Sequence, residues 1–351
     1  MLNIHRNHRR TLNVFVVFVS ILLCNVLPVN QAVSTESEPE FSFTLWQLPS
    51  MANSHSMAYV IETADDSVIV IDGGRPDETW YLRQFFDDHD IDRVDHWFLS
   101  HIHWDHLGAL TVILGQENGI EIGTIHASLP YYDWLEILVD EPGAGVDDWT
   151  IRVYDRFLVA VAESSVPVDY LEVGDIVIDN LTFEVLRVWN PDITTDAVNN
   201  SCILLRVTDG ANSILFTGDL SYIAGYEVIN EDVTPGITER IQSDFVQISH
   251  HASYGVDEEF YRLVDPDYTL WPAPSWRYHP EPDGPEPDRW CERLREYFDS
   301  VGIGEDRRFI STIDGLTGFR FTVPPTQPGL IYIENPEARG VYENYEHHAD
   351  E

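Results

Sequence analysis

Three histidines and an aspartate lie within one short segment that has the spacing of a metal site. Residues 100–108 read SHIHWDHLG and contain His101, His103, Asp105 and His106. Imidazole nitrogen and carboxylate oxygen together suit zinc, manganese or iron better than calcium or magnesium. In a loop that leads into a helix, the first two histidines point to one position and the last two ligands to an adjacent one. The segment predicts one or two divalent metal ions, with zinc preferred; the alternative is a solvated histidine-rich loop.

Two further apolar runs end in residues that can bind a metal. Residues 213–217 are followed by Asp219, and residues 245–249 are followed by His250 and His251. Taken alone, Asp219 is also typical of a turn, and His250 of a packed surface histidine. Ligands on α/β folds collect where strand ends meet at one edge of a sheet. We therefore predict Asp219 and His250 as metal ligands, with the choice between His250 and His251 left open.

The elements that must position these residues follow from the apolar pattern. Short apolar runs recur from residue 41 onward, first strand-like, then alternating with helical patterns, then strand-like again. This order favours one α/β domain over residues 41–325, built as a four-layer αββα sandwich in which helices flank two mixed β-sheets. The predicted helices cover residues 77–87, 107–114, 133–138, 149–161, 258–264 and 289–298. The predicted final hairpin pairs residues 309–313 with 319–323.

The N-terminal residues are typical of a targeting signal. Residues 1–10 contain arginines and no acidic residue, and an apolar run follows over residues 14–24. That run makes about 16 Å of helix, which is shorter than a hydrocarbon core of about 30 Å. We predict a signal peptide over residues 1–32 and an exported protein, either extracellular or periplasmic. A lipoprotein signal at Cys24 and an uncleaved anchor are the alternatives.

Composition limits the remaining possibilities. The chain of 351 residues has 60 acidic residues against 20 basic ones, all of them arginine, and a formal net charge of −40. This charge excludes a basic nucleic-acid-binding surface as the main binding device. A hydrophobic fraction of 44% is sufficient for a packed core. Three cysteines are too few for a disulfide scaffold. The acidic segment over residues 335–351 is predicted to be a flexible tail.

These motifs together resemble the metallo-β-lactamase fold superfamily over most of the chain. Residues 67–74 (SVIVIDGG) are similar to the family's early strand and Asp-Gly turn, and residues 101–106 match its HxHxDH signature. Thr217-Gly218-Asp219 matches the strand end that supplies a bridging aspartate. His250 follows a strand as the family's last histidine ligand does.

The finer resemblance is to the lactamase-like domain of the ComEC/Rec2 DNA-uptake proteins and their stand-alone relatives. The motifs that carry it occur in the family's order along the chain. Ala252 stands where those relatives usually have glycine, and His103 where they often have aspartate. The membrane channel of the uptake proteins is absent from this sequence. The matching motifs are Asn199-Asn200-Ser201, Thr217-Gly218-Asp219, His250-His251-Ala252-Ser253, Tyr278-His279-Pro280 and the hairpin from Thr312 to Gly318.

The resemblance also implies two sets of metal ligands. Asn199 and Asn200 occupy the place where the superfamily has a third histidine, so an amide would complete the first set. Asp219 would be shared between the two metal ions. The implied first set is His101, His103, Asp219 and an asparagine amide, and the implied second set is Asp105, His106, Asp219 and His250.

By the same resemblance, the chemistry is hydrolysis by a metal-bound hydroxide. Asp105 would hold a metal and orient the hydroxide. His279 would act as an acid for the leaving group or contact the substrate, although a structural role fits it equally well. Asp72 is expected to anchor the loop beneath the metals through hydrogen bonds. His55, which has no ligand-type residue at a matching spacing, is expected to play no part.

The sequence therefore predicts an exported metal-dependent hydrolase that acts on a phosphodiester. The alternatives are a lactonase or β-lactamase-type carbonyl hydrolase, and a non-catalytic module that binds a metal or a partner. The expected partner is a small-molecule or nucleic-acid-like substrate. We expect no stable membrane insertion after signal cleavage, and the oligomeric state is not predicted.

Overall fold

The computed structural model describes residues 39–116, 120–279, 289–325 and 329–335. The predicted signal peptide over residues 1–32 lies outside these ranges, as does the predicted tail apart from its first residue. Both therefore stay predictions. None of the helices in the described ranges combines the length and the apolar character that crossing a bilayer requires.

The first sheet has eight strands and is mixed. Its strands are β1 (Glu40–Gln47), β2 (Ala58–Thr63), β3 (Val68–Asp72), β4 (Arg93–Leu99), β5 (Glu121–Ala127), β6 (Val168–Tyr170), β14 (Thr317–Val323) and β15 (Gly329–Ile333). The spatial order is β15-β14-β1-β2-β3-β4-β5-β6. Strands β3 to β6 are parallel neighbours, whereas the pairs from β15 to β3 are antiparallel.

The second sheet has seven strands and is mixed as well. Its strands are β7 (Gly174–Ile178), β8 (Leu181–Arg187), β9 (Leu204–Thr208), β10 (Ser213–Phe216), β11 (Phe245–Gln247), β12 (Tyr268–Trp271) and β13 (Arg308–Ile310). They lie in the order β13-β12-β11-β10-β9-β8-β7. Strands β10 to β13 are parallel, and β7 to β10 are antiparallel.

Helices cover the outer face of each sheet. They are α1 (Thr79–Asp88), α2 (Trp104–Leu114), α3 (Tyr132–Leu138), α4 (Asp148–Ser164), α5 (Tyr222–Ile229), α6 (Ile237–Arg240), α7 (Glu258–Val264), α8 (Ser275–Tyr278), α9 (Arg289–Ser300) and α10 (Ser311–Asp314). One apolar cluster joins the first sheet to α1, α2 and α4, and another joins the second sheet to α5, α7 and α9. The predicted four-layer αββα sandwich is confirmed.

The core between the two sheets follows from side-chain alternation along the strands. In β2, Val60 packs toward the helices, whereas Tyr59 and Ile61 pack toward the second sheet. Successive residues of a strand point to opposite faces, so a strand buried on both faces is apolar throughout. Aromatic rings join the two sheets: Phe98 stacks on Phe183 with ring centroids 4.9 Å apart.

The predicted C-terminal hairpin is wrong. Strand β13 pairs with β12 in the second sheet, whereas β14 pairs with β1 in the first. The short helix α10 and Gly315 at φ 71° lie between them, so this segment crosses from one sheet to the other. A hairpin and a crossover both need a turn with glycine between two apolar runs, so local sequence does not distinguish them.

Two histidines outside the predicted metal segment, the buried His126 and the half-buried His96, form a pair on the first sheet. His96 Nδ1 lies 2.9 Å from His126 Nε2, and His126 Nδ1 lies 3.0 Å from Asp169 Oδ2. The His126 ring also stacks on Phe98. Burial lowers the pKa of both histidines, and this outweighs the opposing effect of Asp95 on His96 and of Asp169 on His126.

This pair should make the fold less stable in acid. When the folded pKa of a histidine is lowered, the unfolded chain binds more protons, so stability falls as pH drops below the unfolded pKa of about 6.5. We expect the free energy of unfolding of His126→Asn to increase relative to that of wild type as pH falls from 7.5 to 5.5, because the variant lacks this acid-sensitive group. Urea unfolding at a series of pH values measures it. A difference that does not change with pH would contradict this assignment.

Candidate metal centre

Four strands of the two sheets end where the candidate ligands lie. Asp72 is the last residue of β3, and His101 follows β4 by two positions in the loop before α2. Asp219 follows β10, and His251 follows β11. Because β3 and β4 are parallel in one sheet and β10 and β11 in the other, their carboxyl ends meet at one edge of the sandwich.

Gly218 allows these strand ends to approach closely. Its φ of 54° is in the left-handed region, and a Cβ at this position would lie 2.9 Å from the Cβ of Ser100. Its carbonyl accepts hydrogen bonds from the backbone N–H of His250 at 3.1 Å and from Gln247 Nε2 at 3.0 Å. One turn thus joins the aspartate loop to the histidine segments of both sheets.

The candidate ligand atoms form two groups. Within each group, the ligand atoms lie within 4.8 Å of one another. Three of the predicted ligands make up the first group, and two predicted ligands and one further histidine make up the second. The first group is His101, His103 and Asp219, and the second is Asp105, His106 and His251.

One carboxylate oxygen of Asp219 lies between the two groups. Asp219 Oδ2 is 3.2 Å from His106 Nε2, 3.4 Å from His251 Nε2 and 3.9 Å from His101 Nε2. The side chain is almost completely buried. Its other oxygen, Oδ1, is buried and has no hydrogen-bond partner among the described residues. A buried carboxylate oxygen requires a partner, and a cation would supply one.

Several ring nitrogens of the centre face each other at short distances. His101 Nε2 lies 2.9 Å from His103 Nδ1, and His106 Nε2 lies 3.3 Å from His251 Nε2. His251 Nε2 is also 3.2 Å from Asp105 Oδ2. Imidazole nitrogens that converge with carboxylate oxygens make up the donor set of zinc and related metals. The residues present therefore fit the one or two divalent cations that their types predict.

Hydrogen bonds behind the centre fix the orientation of two histidines. His251 Nδ1 lies 2.6 Å from the carbonyl of Pro272, and His106 Nδ1 lies 2.8 Å from Asp72 Oδ2. Both partners can only accept, so Nδ1 carries the hydrogen in each ring. Nε2 of each ring then presents its lone pair to the centre, as a metal-ligating histidine requires.

Asp72 supports the loop that carries the first histidines. Its Oδ1 accepts the backbone N–H of Ser100 at 2.7 Å, and its Oδ2 accepts the Ser100 hydroxyl at 2.8 Å. That hydroxyl in turn lies 3.0 Å from His101 Nδ1. Asp72 is fully buried at φ 62°, and Trp97 Nε1 donates to its carbonyl. The structure agrees with the anchoring role expected for Asp72.

The charges of the centre depend strongly on one another. Burial alone would raise the pKa of Asp105 and of Asp219. Because His106 and His251 stabilise both carboxylates, the pKa of each nevertheless lies below its ordinary value. Burial alone would lower the pKa of His251, but the carboxylates of Asp219 and Asp105 raise this pKa to about 9. Burial lowers the pKa of His101. Two buried carboxylates thus need positive charge beside them, either from protons on imidazoles or from cations.

The structure places His251, rather than the predicted His250, in the second group. His250, His251 and Ala252 all have left-handed backbone angles, with φ values of 52°, 49° and 64°. Two consecutive histidines in such a turn project differently: His251 reaches the centre, and His250 Nε2 lies 3.3 Å from Asn199 Nδ2. The sequence shows only that a histidine follows β11, and the backbone conformation decides which one.

His279 belongs to neither group. Its backbone N–H donates to the carbonyl of Ser275, and its ring lies edge-on to Tyr278 with centroids 4.7 Å apart. Burial and the nearby charge of Arg295 lower its pKa to about 4. A role for His279 in substrate contact or proton transfer stays a prediction.

His55 lies beside the centre, although its neighbours in the sequence indicate no role for it there. Its ring stacks on His251 with centroids 5.0 Å apart, and Arg277 Nη2 lies 3.0 Å from its Nε2. Burial, His251 and Arg277 lower its pKa to about 3, so the ring is neutral. His55 and Arg277 are far apart in the chain and meet only because α8 packs on the loop before β2, as the hydrogen bond from the Ser275 N–H to Asn53 Oδ1 shows.

This sandwich, with ligand groups at one edge of both sheets, defines a metallohydrolase class of protein. A family model described as the metallo-beta-lactamase superfamily matches residues 53–268, which is more than half of the chain. The chain belongs to this superfamily of hydrolases. The family predicted from the motifs is thereby confirmed.

A curated relative supports the finer resemblance. ComE operon protein 3 from Bacillus subtilis (strain 168) is 27% identical over 192 residues. The match covers 54% of this chain and 21% of that protein, so the chain spans about a fifth of its relative's length. This relationship agrees with the ComEC-like motif order of the sequence.

Solved structures share less sequence identity with this chain than the curated relative does. The metallo-β-lactamase fold protein YhfI from Bacillus subtilis has a TM-score of 0.39 and 14% identity, over 65% of this chain and 85% of that chain. A diphosphatase from the PhnP family has a TM-score of 0.39 and 13% identity, with the same coverage.

Asp72 should control metal affinity without binding a metal. In Asp72→Asn a single oxygen remains as acceptor, so it cannot serve both the Ser100 backbone N–H, which Oδ1 accepts, and the Ser100 hydroxyl and His106 Nδ1–H, which Oδ2 accepts. The loop or the His106 ring therefore loses its support. Asparagine also tolerates the positive φ. We expect a 10–100-fold weaker zinc affinity, as is typical for the loss of such partners. Competition with a chromophoric chelator measures it.

Asp244 offers a matched control. Its Oδ2 accepts the backbone N–H of Ser213 at 2.7 Å and the Ser213 hydroxyl at 2.8 Å, but it precedes β11 and lies at the opposite end of that strand from the centre. Asp244→Asn should leave zinc affinity unchanged. Equal losses in both variants would indicate general destabilisation instead of support for the metal ligands.

Proposed function

We propose that this chain is an exported, zinc-dependent hydrolase that cleaves a phosphodiester at the edge of the sandwich where the two ligand groups meet. His101, His103 and Asp219 hold one cation, and Asp105, His106, His251 and Asp219 hold the other. His251 takes the place predicted for His250. Membership of the metallo-β-lactamase superfamily supports the hydrolytic class of the reaction.

The observation that carries this proposal is the position of Asp219 Oδ2. This oxygen lies 3.2–3.9 Å from the Nε2 atoms of three histidines, of which His101 belongs to the first group and His106 and His251 to the second. The residues of the two groups would hold a pair of cations, which would supply a water activated for attack near neutral pH and would offset the charge that develops during an in-line displacement. A single structural ion would not need ligands in two adjoining groups.

The chain's own residues orient the reactants. Asp105 is in the first turn of α2, where the helix dipole favours its negative charge. Its Oδ2 contacts His251, and its backbone carbonyl accepts the N–H of Met57 at 3.1 Å. The carboxylate is thus fixed at the rim of the centre. There it can accept a hydrogen bond from the attacking water and hold it in line.

The phosphodiester assignment is supported by the relationship to ComEC-like proteins. The curated relative shares 27% identity over 192 residues with this chain, and the motif order matches that of the DNA-uptake family. A nucleic-acid-like or small phosphodiester substrate is the class this relationship favours. Zinc is supported by the mixed imidazole and carboxylate donors. Export is supported by the basic start and the apolar run over residues 14–24.

A substrate panel tests the proposal. The zinc-loaded protein is assayed with bis-p-nitrophenyl phosphate, single-stranded DNA, a lactone and a β-lactam. We expect phosphodiester turnover that chelation abolishes. We further expect His103→Ala and Asp105→Ala to lower kcat more than about 100-fold, because each removes a metal ligand.

His126→Asn is the matched control, since His126 is a buried histidine of the first sheet outside both groups. It should retain wild-type turnover. Turnover of the lactone or the β-lactam alone would replace the phosphodiester with a carbonyl substrate. No zinc-dependent turnover of any of the four would favour a non-catalytic module. Turnover that survives both Ala substitutions would rule out this centre.

A further inference from the structure

We propose that the Nδ1–H group of His250 donates a hydrogen bond to an oxygen of the group under attack, so that His250 is a catalytic residue and not a metal ligand. This inference rests on the proposed hydrolysis at the same centre. It concerns a residue whose position in the chain suggests a ligand and whose surroundings in the fold suggest a donor.

The hydrogen bonds of Asn199 determine which nitrogen of His250 carries the hydrogen. Asn199 Nδ2 donates to Asp196 Oδ1 at 2.9 Å and lies 3.3 Å from His250 Nε2. An amide NH₂ has two hydrogens and can donate to both. The opposite amide orientation would bring its oxygen to 2.9 Å from the Asp196 oxygen, and two acceptors at that distance repel each other.

His250 Nε2 therefore accepts, and the hydrogen of the neutral ring is on Nδ1. Burial lowers the pKa of His250 to about 4, in agreement with a neutral ring. Asp196 is held in place for this arrangement, because its backbone N–H donates to the carbonyl of Gly143 at 2.7 Å. The hydrogen bonds from Asn199 to Asp196 and to His250, here called the relay, thus fix the tautomer of His250.

The Nδ1–H group is left without a protein acceptor. Nδ1 of His250 is buried, and no described residue accepts from it. A buried donor without a partner costs free energy, so such groups are rare unless a ligand completes them. The His250 ring lies beside the centre, with its centroid 6.5 Å from that of the His251 ring. The missing acceptor is therefore expected at the metal centre.

The backbone conformation of the turn from His250 to Ala252 also indicates a functional role for His250. His250 to Ala252 form a run of three left-handed residues without glycine. Such conformations persist where the surrounding structure enforces them, and they cluster at functional sites. The His250 N–H is tied to the Gly218 carbonyl, and the Ser253 N–H to the His250 carbonyl. The turn holds His251 for the metal and His250 beside it.

The consequence for the reaction is stabilisation of developing charge. When water attacks a phosphodiester or a carbonyl, negative charge grows on an oxygen that the nucleophile does not occupy. A fixed, buried N–H aimed at that oxygen stabilises the transition state without reorganisation. No proton is transferred in this step, since the donor keeps its hydrogen. The cost of the unpaired Nδ1–H in the free protein is recovered when the substrate binds.

His250→Ala and His250→Asn form the decisive pair. Alanine removes the donor, whereas the asparagine Nδ2 amide can take the position of Nδ1–H and tolerates the positive φ. With bis-p-nitrophenyl phosphate we expect His250→Ala to lower kcat about 10²–10³-fold, with KM and zinc content near the wild-type values. His250→Asn should recover a large part of that loss. Wild-type kcat in His250→Ala, or loss of zinc from it, would overturn the proposal.

Asn199→Asp supplies a second test of the tautomer. A carboxylate at this position would favour hydrogen on Nε2 and leave Nδ1 as an acceptor, so kcat should fall. The same change should have little effect in the His250→Asn background, because the asparagine donor does not depend on a tautomer. Independent losses in the double variant would contradict the relay.

Binding of inorganic phosphate separates this inference from the proposed function. If the zinc-loaded wild type hydrolyses nothing, the proposed function fails, yet calorimetry with phosphate still measures the donor. We expect His250→Ala to bind phosphate at least tenfold more weakly, as is typical for a hydrogen bond to a charged group. Equal affinities, or no phosphate binding by the zinc-loaded wild type, would overturn the assignment of His250.

Discussion

The buried carboxylate of Asp219 is the constraint on which the rest of the centre depends. A carboxylate removed from water requires positive charge and hydrogen-bond donors close to it. Here three imidazoles supply the contacts to Oδ2, and Oδ1 has no partner among the described residues. Gly218, with no Cβ, lets the aspartate loop reach the histidine loop of the other sheet. The metal centre follows from satisfying this one side chain.

The two sheets make this arrangement rigid. Parallel neighbours in each sheet bring the ends of β3 and β4 and of β10 and β11 to one edge, and the aromatic core between the sheets fixes their separation. Asp72 and the carbonyl of Pro272 then orient His106 and His251 from behind. Both histidines are thus oriented by residues outside the two ligand groups, as effective metal sites require.

Most of the fold and the centre could be predicted from local sequence. The HxHxDH segment, the strand ending at Asp219 and the αββα class are properties of short segments and their order. The choice of His251 over His250 depends on three left-handed φ angles, and the proximity of His55 depends on the packing of α8. The crossover from β13 to β14 depends on which sheet each strand joins. These are tertiary properties that no local pattern contains.

The net charge of −40 excludes a basic surface, but a pair of cations would supply the local attraction that an anionic substrate needs.

Anomalous diffraction at the zinc edge from crystals of the zinc-loaded protein shows whether two cations share Asp219. Such sharing predicts two peaks per chain about 3.5–4 Å apart, on either side of Asp219 Oδ2. His101 and His103 should contact one peak, and Asp105, His106 and His251 the other. A single peak that does not contact Asp219, or a peak bound by His250 in place of His251, would contradict it.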